Sequence, residues 1–373
     1  MTLRPSPITP TALTPVDGMD GLPFVSVVMP VRNEGGFIEQ SVGAVLGQTY
    51  PRDRYEVLIA DGMSTDDTRV RLGVLSREHP NLRVLDNPGC IVSTGLNVAL
   101  REARGDIVVR VDGHCEIAPD YIERCVAHLG DPAVQVVGGP LTTVGQTPSA
   151  QAIAVAMSSP FGVGNAAFRT GQRTTFVDTV AFPAIPRRLL IDAGPFDEEL
   201  VRNQDDEYNY RLRKMGARIL LAQDVRSRYY SRSSFRSLAR QYFQYGYWKV
   251  RVMQKHPRQM RPRQFVPPLF VASLALLGAL GLASRSAAWA LGALGLLYAC
   301  ANLAAAVITA RRHRWENLMR LSIAFATLHL SYGTGFLYGL VRFAGRWGDK
   351  GVRASQPVPG VRRADEPPPA PGH

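Results

Sequence analysis

Three long segments near the carboxyl end of this chain contain no Asp, Glu, Lys or Arg. They are Gln264–Ser284, Ser286–Ala310 and Leu321–Val341. Each reaches the ~20 residues that a helix needs to cross the hydrocarbon core of a bilayer. This pattern restricts the fold more than any other in the chain, and we predict a transmembrane region over residues 264–343 with about three spans.

Basic residues near the ends of these segments bear on their orientation. Arginines precede the first segment and follow the second at residues 311–314, which places both ends on the cytoplasmic side. Three full crossings would place Arg342, Arg346 and Lys350 outside, against the positive-inside rule. The third segment also contains His329 and several glycines. The sequence is therefore compatible with a third crossing, a re-entrant helix or a helix packed on the others.

The net charge of +12 is concentrated in one stretch. Residues 226–263 contain eleven Lys and Arg and no Asp or Glu. Such a block is typical of binding to nucleic acid or to an anionic membrane surface. Because the apolar segments follow at once, we predict no nucleic-acid partner. We interpret residues 231–263 as a basic amphipathic membrane-surface segment; an ordinary basic surface helix is the alternative.

Strands and helices alternate over residues 24–230. Short β-branched runs predict strands, and stretches of about ten residues with helical apolar spacing separate them. This alternation predicts an α/β domain with a mostly parallel, doubly wound sheet. The predicted strands are Phe24–Val31, Tyr55–Ala60, Leu82–Leu85, Ile107–Val111, Val134–Gly138 and Arg218–Ala222.

The flanking segments and the cysteines complete the expected organisation. Residues 1–23 and 344–373 are rich in Pro without periodicity, so we expect disordered tails. The four cysteines have neither metal-ligand nor redox spacing, which favours a reducing compartment. The amino terminus lacks the pattern of a cleavable signal peptide, so we expect the soluble domain in the cytoplasm.

Polar side chains follow the predicted strands where each strand ends. They are Asn33 with Glu34, Asp61, Asp112 with His114, and Asp205 with Asp206. In open α/β sheets this edge binds ligands. A carboxylate and an imidazole two residues apart, as in Asp112 and His114, can share one divalent cation. The alternative for that pair is an ordinary polar turn.

The order of these motifs resembles a known family. From Val25 to about Ala222 the chain is similar to family 2 glycosyltransferases with a GT-A fold. The motifs that carry this resemblance are V-S-V-V-M-P-V-R-N-E, L-I-A-D-G-M-S-T-D-D-T, the run from G-L-N-V to V-D-G-H, G-P-F-D-E and D-D-E-Y-N-Y-R-L. The variants R-V-D-G-H and R-Q-Y-F-Q-Y-G-Y-W-K, with the following apolar segments, resemble the succinoglycan-type glucosyltransferases. Those enzymes act on polyprenyl-diphosphate-linked sugars in exopolysaccharide assembly.

The resemblance implies roles for matching residues on the donor side. Asp61 matches the aspartate that binds uracil, and Asp112 matches the first residue of the D-x-D metal motif. His114 stands at the second aspartate, which favours Mn²⁺ over Mg²⁺ as the metal cofactor. Together the residues implied to bind the nucleotide sugar are Pro30, Val31, Asn33, Glu34, Asp61 and Asp112.

Further roles concern the acceptor. Asp205 matches the aspartate of the family's E-D motif and is the implied catalytic base, with Asp206 as the second candidate; Gln204 replaces the glutamate. We expect Asp197, Gln241 and Trp248 on the acceptor side. Simpler roles are also compatible with the sequence: Asp61 as a turn cap, and Asn33 and Glu34 as caps of the helix from Phe37.

We therefore expect an inverting transferase that moves a hexose, with glucose as first choice, from a UDP-sugar to a lipid-linked acceptor. We place it at the bacterial inner membrane with its catalytic domain in the cytoplasm, where other polysaccharide-assembly proteins are candidate partners. A processive polysaccharide synthase and a catalytically silent scaffold are the alternatives. A dehydrogenase is disfavoured because the loop after the first strand, V-R-N-E-G-G, lacks G-x-G-x-x-G spacing.

Overall fold

The computed structural model describes residues 21–164, 167–171, 173–231, 234–313 and 315–353. Most of the two predicted tails lies outside these residues. The first part of the fold consists of β1 (Val25–Val31), α1 (Ile38–Leu46), β2 (Tyr55–Asp61), α2 (Thr68–Glu78), β3 (Leu82–Asp86), α3 (Val92–Glu102), β4 (Ile107–Arg110), β5 (Cys115–Ile117) and α4 (Tyr121–Leu129).

The second part of the fold is less regular. It consists of β6 (Val136–Gly139), β7 (Leu141–Val144), α5 (Pro148–Met157), α6 (Pro160–Val163), α7 (Ala167–Thr170), β8 (Thr175–Val177), β9 (Ala181–Pro186), α8 (Arg187–Ala193), α9 (Gln204–Lys214), β10 (Ile219–Leu221) and β11 (Ser227–Tyr230). Four long helices follow: α10 (Phe235–Lys255), α11 (Val266–Gly281), α12 (Arg285–Arg312) and α13 (Leu318–Arg342).

The predicted α/β fold with a mostly parallel sheet is confirmed. Eight strands form one sheet in the order β3-β2-β1-β4-β9-β6-β10-β8, and β5, β11 and β7 form a second, smaller sheet. In the large sheet β1 pairs in parallel with both β2 and β4, so the carboxyl ends of these strands meet at one edge. Every residue of β1 and β2 is buried, which explains their nearly continuous apolar sequences.

Strand β9 is the main departure from the predicted topology. It lies between β4 and β6 and is antiparallel to both. Its sequence A-F-P-A-I-P contains Pro183 and Pro186. Prolines argue against a strand in sequence-based prediction, because proline has no backbone N–H to donate to a neighbouring strand. By separating β4 from β6, this strand widens the sheet edge next to β4, where Asp112 follows.

Two cores hold the sheet between its helices. Ile38 of α1, Leu72 of α2 and Tyr121 of α4 belong to the core on one face. Leu96 of α3 and Tyr208 of α9 belong to the core on the other face. Because α9 is packed on the second face, its amino end lies near the end of β4.

The carboxyl-terminal helices lie in the predicted transmembrane region of about three spans. Among the described residues, two helical segments are long and apolar enough to cross a membrane, Pro262–Gly281 and Arg285–Arg312. They are candidate spans, and they expose large apolar side chains such as Leu276, Trp289 and Leu297. These two segments coincide with the first and second predicted spans, and about three crossings stays the prediction for the whole region.

The third apolar segment forms α13, which lies along α10. A β-carbon on Gly246 of α10 would lie 2.1 Å from the carbonyl oxygen of Tyr332, and one on Gly335 would lie 2.0 Å from that of Phe243. These glycines allow the backbones of the two helices to touch. Helix α13 is therefore a packing partner of α10, while its Ile323, Tyr338 and Val341 side chains stay exposed.

Two other parts of the predicted carboxyl-terminal organisation need correction. Residues 344–353, predicted as part of a disordered tail, fold back so that Arg353 donates its backbone N–H to Asp197 at 3.2 Å. In α10 the basic side chains of Lys249, Arg251 and Lys255 are buried rather than directed to a membrane surface. They lie in ion pairs with carboxylates, so this end of the segment joins parts of the protein.

Candidate active site

A cavity of about 2240 Å³ opens at the carboxyl ends of β1 and β4. Most of the residues singled out from the sequence line it: Pro30, Val31, Asn33, Glu34, Asp112, His114, Asp205, Asp206 and Gln241. Asp61, Asp197 and Trp248 are not among the described residues that line it. The fold thus brings together nine of the twelve predicted site residues.

The turn after β4 places Asp112 and His114 side by side. Ligand atoms of Asp112, His114 and Cys115 lie within 4.8 Å of one another. Cys115 is fully buried, and this burial raises the pKa of its thiol well above the usual range. The His114 Nδ1 lies 2.9 Å from a Glu34 carboxylate oxygen, which fixes the orientation of the imidazole ring. Asp112 and His114 thus present one oxygen and one nitrogen to the same space.

Arg110 connects the two potential metal ligands Asp112 and His114, here called the metal-type pair, to the first turn of α9. Its guanidinium donates to Asp112 at 2.8 Å and forms an ion pair with Asp205 on its other side. Burial alone would raise the pKa of Asp112, but the charges of Arg110, His114 and Arg202 outweigh it and lower the pKa below its usual value. Asp112 is therefore an ionised, ligand-competent carboxylate.

The amino end of α9 presents two carboxylates to the cavity. Asn203 precedes the helix in the left-handed conformation, with φ of 63°, and donates its side-chain amide to the Tyr245 carbonyl of α10 at 2.9 Å. Asp205 and Asp206 follow in the first turn, where the helix dipole favours negative charge. Asp205 faces Arg110, whereas Asp206 forms an ion pair with Lys249 of α10. The two candidate bases thus differ in position: Asp205 lies beside the metal-type pair.

The loop after β1 is held by the loop after β2. Asn33 has φ of 55°, and its side-chain oxygen accepts from the backbone N–H of Thr65 at 2.8 Å. The Glu34 backbone N–H donates to the Thr68 hydroxyl at 2.8 Å. Asn33 therefore ties two loops together at the cavity wall, and Glu34 orients His114.

Asp61 forms hydrogen bonds within the turn that follows β2. Its side chain is fully buried, accepts from the Ser64 hydroxyl at 2.5 Å and from Arg69 at 3.2 Å. These bonds are those of a residue that caps the turn after β2, the simpler role that the sequence also allowed. In this conformation the carboxylate is engaged within the protein.

The three predicted acceptor-side residues lie in three different places. Asp197 is completely buried in an ion pair with Lys255, so it anchors the loop before α9. Trp248 packs against Phe343, with ring centroids 5.8 Å apart, outside the cavity. Gln241 alone of the three lines the cavity.

Sequence reasoning missed Arg110 and Lys249. Both are nearly buried, with side chains 9% and 4% exposed, and each pairs with one of the candidate bases. Arg110 had a detectable signal, because it is the one charged residue inside the otherwise apolar run I-V-V-R-V. A charge at a buried strand position requires a partner of opposite sign nearby. Lys249 had no separate signal within its basic segment.

Known proteins are similar to this chain in sequence and in fold. Residues 26–190 match the model of the Glycosyl transferase family 2. The succinoglycan biosynthesis protein ExoA of Rhizobium meliloti is 31% identical over 322 residues, which cover 86% of this chain and 96% of that protein. The chain belongs to glycosyltransferase family 2.

Two further similarities agree with the family. A Methanococcus voltae protein named dolichyl N-acetyl-alpha-D-glucosaminyl phosphate 3-beta-D-2,3-diacetamido-2,3-dideoxy-beta-D-glucuronosyltransferase is 26% identical over 62% of this chain and 74% of its own length. The mannosyltransferase PcManGT from Pyrobaculum calidifontis, solved with GDP-Man and Mn²⁺, superposes with a TM-score of 0.55 and 23% identity over 88% of this chain and 90% of that one. The latter supports the GT-A fold. The chain is therefore a glycosyltransferase that acts in glycan biosynthesis.

Proposed function

We propose that this glycosyltransferase transfers a hexose, with glucose as first choice, from a UDP-sugar to a polyprenyl-diphosphate-linked saccharide in exopolysaccharide synthesis, with inversion at the anomeric carbon. The observation that carries the proposal is Arg110, which holds Asp112 and Asp205 on opposite sides of one guanidinium. This arrangement brings a donor-side carboxylate and a candidate base together. The similarity to ExoA along nearly its whole length supports the substrate class.

Asp205 is the catalytic base in this proposal. An acceptor hydroxyl attacks the anomeric carbon, its proton passes to the Asp205 carboxylate, and the bond to the nucleoside diphosphate breaks in the same displacement. The Arg110 guanidinium holds the Asp205 carboxylate on the side opposite Asp112. Asp206 is less suited to this role because its partner, Lys249, lies on α10, whereas the partner of Asp205 also binds Asp112.

A divalent cation fits the donor set, because an oxygen of Asp112 and a nitrogen of His114 face a common space. Asp112 and His114 would hold the metal, with Glu34 orienting the imidazole as a supporting carboxylate. When bound, the cation would neutralise charge on the diphosphate leaving group. We infer Mn²⁺ rather than Mg²⁺, because imidazole suits Mn²⁺ better. The PcManGT structure holds Mn²⁺.

The cavity wall near β1 would receive the nucleotide. Pro30, Val31, Asn33 and Glu34 line it there. For Asp61 to bind uracil, its carboxylate would have to exchange the bond from Ser64 for one from the base. Use of GDP- or CMP-sugars alone would contradict this role.

The proposed location is the cytoplasmic face of the bacterial inner membrane. Helices α11 and α12 would cross the bilayer as a hairpin, which places residues 261–263 and 311–312 on the same side as the catalytic domain. That side is then the cytoplasmic one by the positive-inside rule. Other polysaccharide-assembly proteins are candidate partners there.

The test uses the full chain purified in detergent, with Mn²⁺, a panel of UDP-, GDP- and CMP-sugars and a bacterial lipid extract. We expect a UDP-hexose to be transferred and Asp205→Asn to lower kcat by about 10²–10⁴-fold while UDP binding is kept. Asp206→Asn is the matched comparison and should retain much more activity. Full activity of Asp205→Asn would overturn the assignment of the base.

The same assay separates the two alternatives. A processive synthase would yield long polymers rather than one added sugar per acceptor. A silent scaffold would bind UDP with Mn²⁺ but turn over no donor in the panel. Either result would contradict the proposal.

A further inference from the structure

The cavity that contains Asp112 and Asp205 extends beyond the sheet. Its volume of about 2240 Å³ is more than twice the upper end of the usual range for a small-molecule site, roughly 300–1,000 Å³. We call the part between α6, α11, α12 and α13 the apolar arm. The arm is lined by Phe161, Phe270, Tyr298, Ala301, Leu328 and Tyr332. The cavity therefore has room for a largely apolar ligand beside a nucleotide sugar.

Polar atoms without partners occur on three residues that line the cavity, one each on α9, α10 and α13. Within the part of the chain that the structure describes, no hydrogen bond reaches the buried side-chain oxygens of Gln204, Gln241 and Tyr332. Gln204 and Gln241 are only 5% and 6% exposed. Buried polar atoms normally have hydrogen-bond partners, so polar groups of a ligand in this cavity would supply partners that these residues lack.

The charge of the cavity favours anions. Ten Lys and Arg side chains line it against five Asp and Glu. Arg263 lies near the arm, because a β-carbon on Gly164, directly after α6, would come within 3.2 Å of its Cδ. An excess of arginines suits phosphate groups, which guanidinium binds in bidentate fashion. The ligand of the arm is therefore expected to combine an apolar chain, a phosphate group and a hydroxyl-bearing group.

We propose that the apolar arm binds the isoprenoid chain of the acceptor, with its diphosphate at Arg263 and its first sugar at Gln241 and Tyr332. This inference rests on the proposed function and adds the location of the acceptor. The arm is continuous with the space beside Asp205 and Asp206, so a sugar at the junction lies on the path to the base. The chain would enter from the bilayer between the candidate spans and α13.

The test measures equilibrium binding to the full chain in detergent micelles, with farnesyl diphosphate as the probe and inorganic diphosphate and phosphatidylglycerol as competitors. Ala301→Trp fills the arm. Ala299→Trp, at a position of the same helix that does not line the cavity, is its control. Arg263→Gln is compared with Arg258→Gln, which is exposed and does not line the cavity. UDP binding with Mn²⁺, measured in parallel, reports an intact donor site.

We expect farnesyl diphosphate to bind at least tenfold more tightly than inorganic diphosphate. Ala301→Trp should weaken it by about tenfold or more, because loss of two buried methylene contacts is sufficient for that change. Arg263→Gln should weaken it by a similar factor, because it removes a charge-assisted hydrogen bond to phosphate. Both control variants should stay near wild type, and all four should bind UDP.

Three results would overturn the inference. Equal affinity for farnesyl diphosphate and inorganic diphosphate would exclude a site for the chain. Displacement of the probe by phosphatidylglycerol would identify the arm as an ordinary phospholipid site. Equal effects of Ala301→Trp and Ala299→Trp would place the chain elsewhere. Failure of the wild type to bind UDP is a distinct result, because it would overturn the proposed function itself.

Discussion

The buried ion pair between Lys255 and Asp197 gives a prediction that separates structural from acceptor roles. Both side chains are 0% exposed, and Lys255 also lies 2.9 Å from Glu199. Lys255→Met leaves two carboxylates without their shared cation. Breaking one side of a fully buried pair costs about 3–5 kcal/mol in the free energy of unfolding.

The surrounding contacts favour the lower end of that range. Asp197 still accepts from the backbone N–H groups of Glu199 and Arg353, at 3.1 and 3.2 Å. Glu199 keeps its bond from Arg251 at 2.8 Å. At about 3 kcal/mol, and with 2–4 °C per kcal/mol for a domain of roughly this size, the Tm should fall by about 6–12 °C.

The assay is thermal unfolding of the full chain in detergent, with Lys214→Met, an exposed lysine at the end of α9, as the control. The double variant Asp197→Asn/Lys255→Met removes both charges and should recover part of the lost Tm. A Tm of Lys255→Met equal to that of the control would refute the reasoning. An Asp197→Asn variant with unchanged Tm but raised acceptor KM would instead restore the role expected from the sequence.

Three further predictions follow from single contacts. Burial alone would raise the pKa of Glu199, but hydrogen bonds from Arg251 and Lys255 lower it to about 2 from 4.5. This carboxylate therefore contributes stability above pH 4.5, and that contribution is lost as the pH falls toward 2. Glu199→Gln should flatten the dependence of Tm on pH between these values. His114→Asp should raise the rate with Mg²⁺ relative to Mn²⁺ in a transfer assay, because it replaces imidazole by carboxylate; an unchanged ratio would exclude His114 as a ligand. Gly246→Ala should lower the free energy of unfolding by about 1–3 kcal/mol, since its β-carbon would meet the Tyr332 carbonyl. Gly292→Ala, on the open side of α12, should raise the free energy of unfolding slightly. Equal effects of the two substitutions on Tm would contradict the α10–α13 packing.

The sequence by itself determined the elements whose signals are local. Continuous apolar runs specified β1, β2 and β4, because a strand buried on both faces needs apolar residues at successive positions. Helical apolar spacing specified the stretches of about ten residues that form helices such as α2 and α4. The strand ends then placed Asp112 and His114 at the ligand-binding edge, since parallel strands share that edge.

Only the tertiary structure decided which distant residues meet. Lys255 and Asp197 lie 58 positions apart, and Lys249 and Asp206 lie 43 apart, so composition alone made these lysines look like membrane contacts. Likewise α13 has the composition of a span, but glycines on both helices let it pack directly on α10. An apolar or charged pattern states that a side chain needs a partner; whether that partner is lipid, protein or ligand depends on the packing of the whole chain.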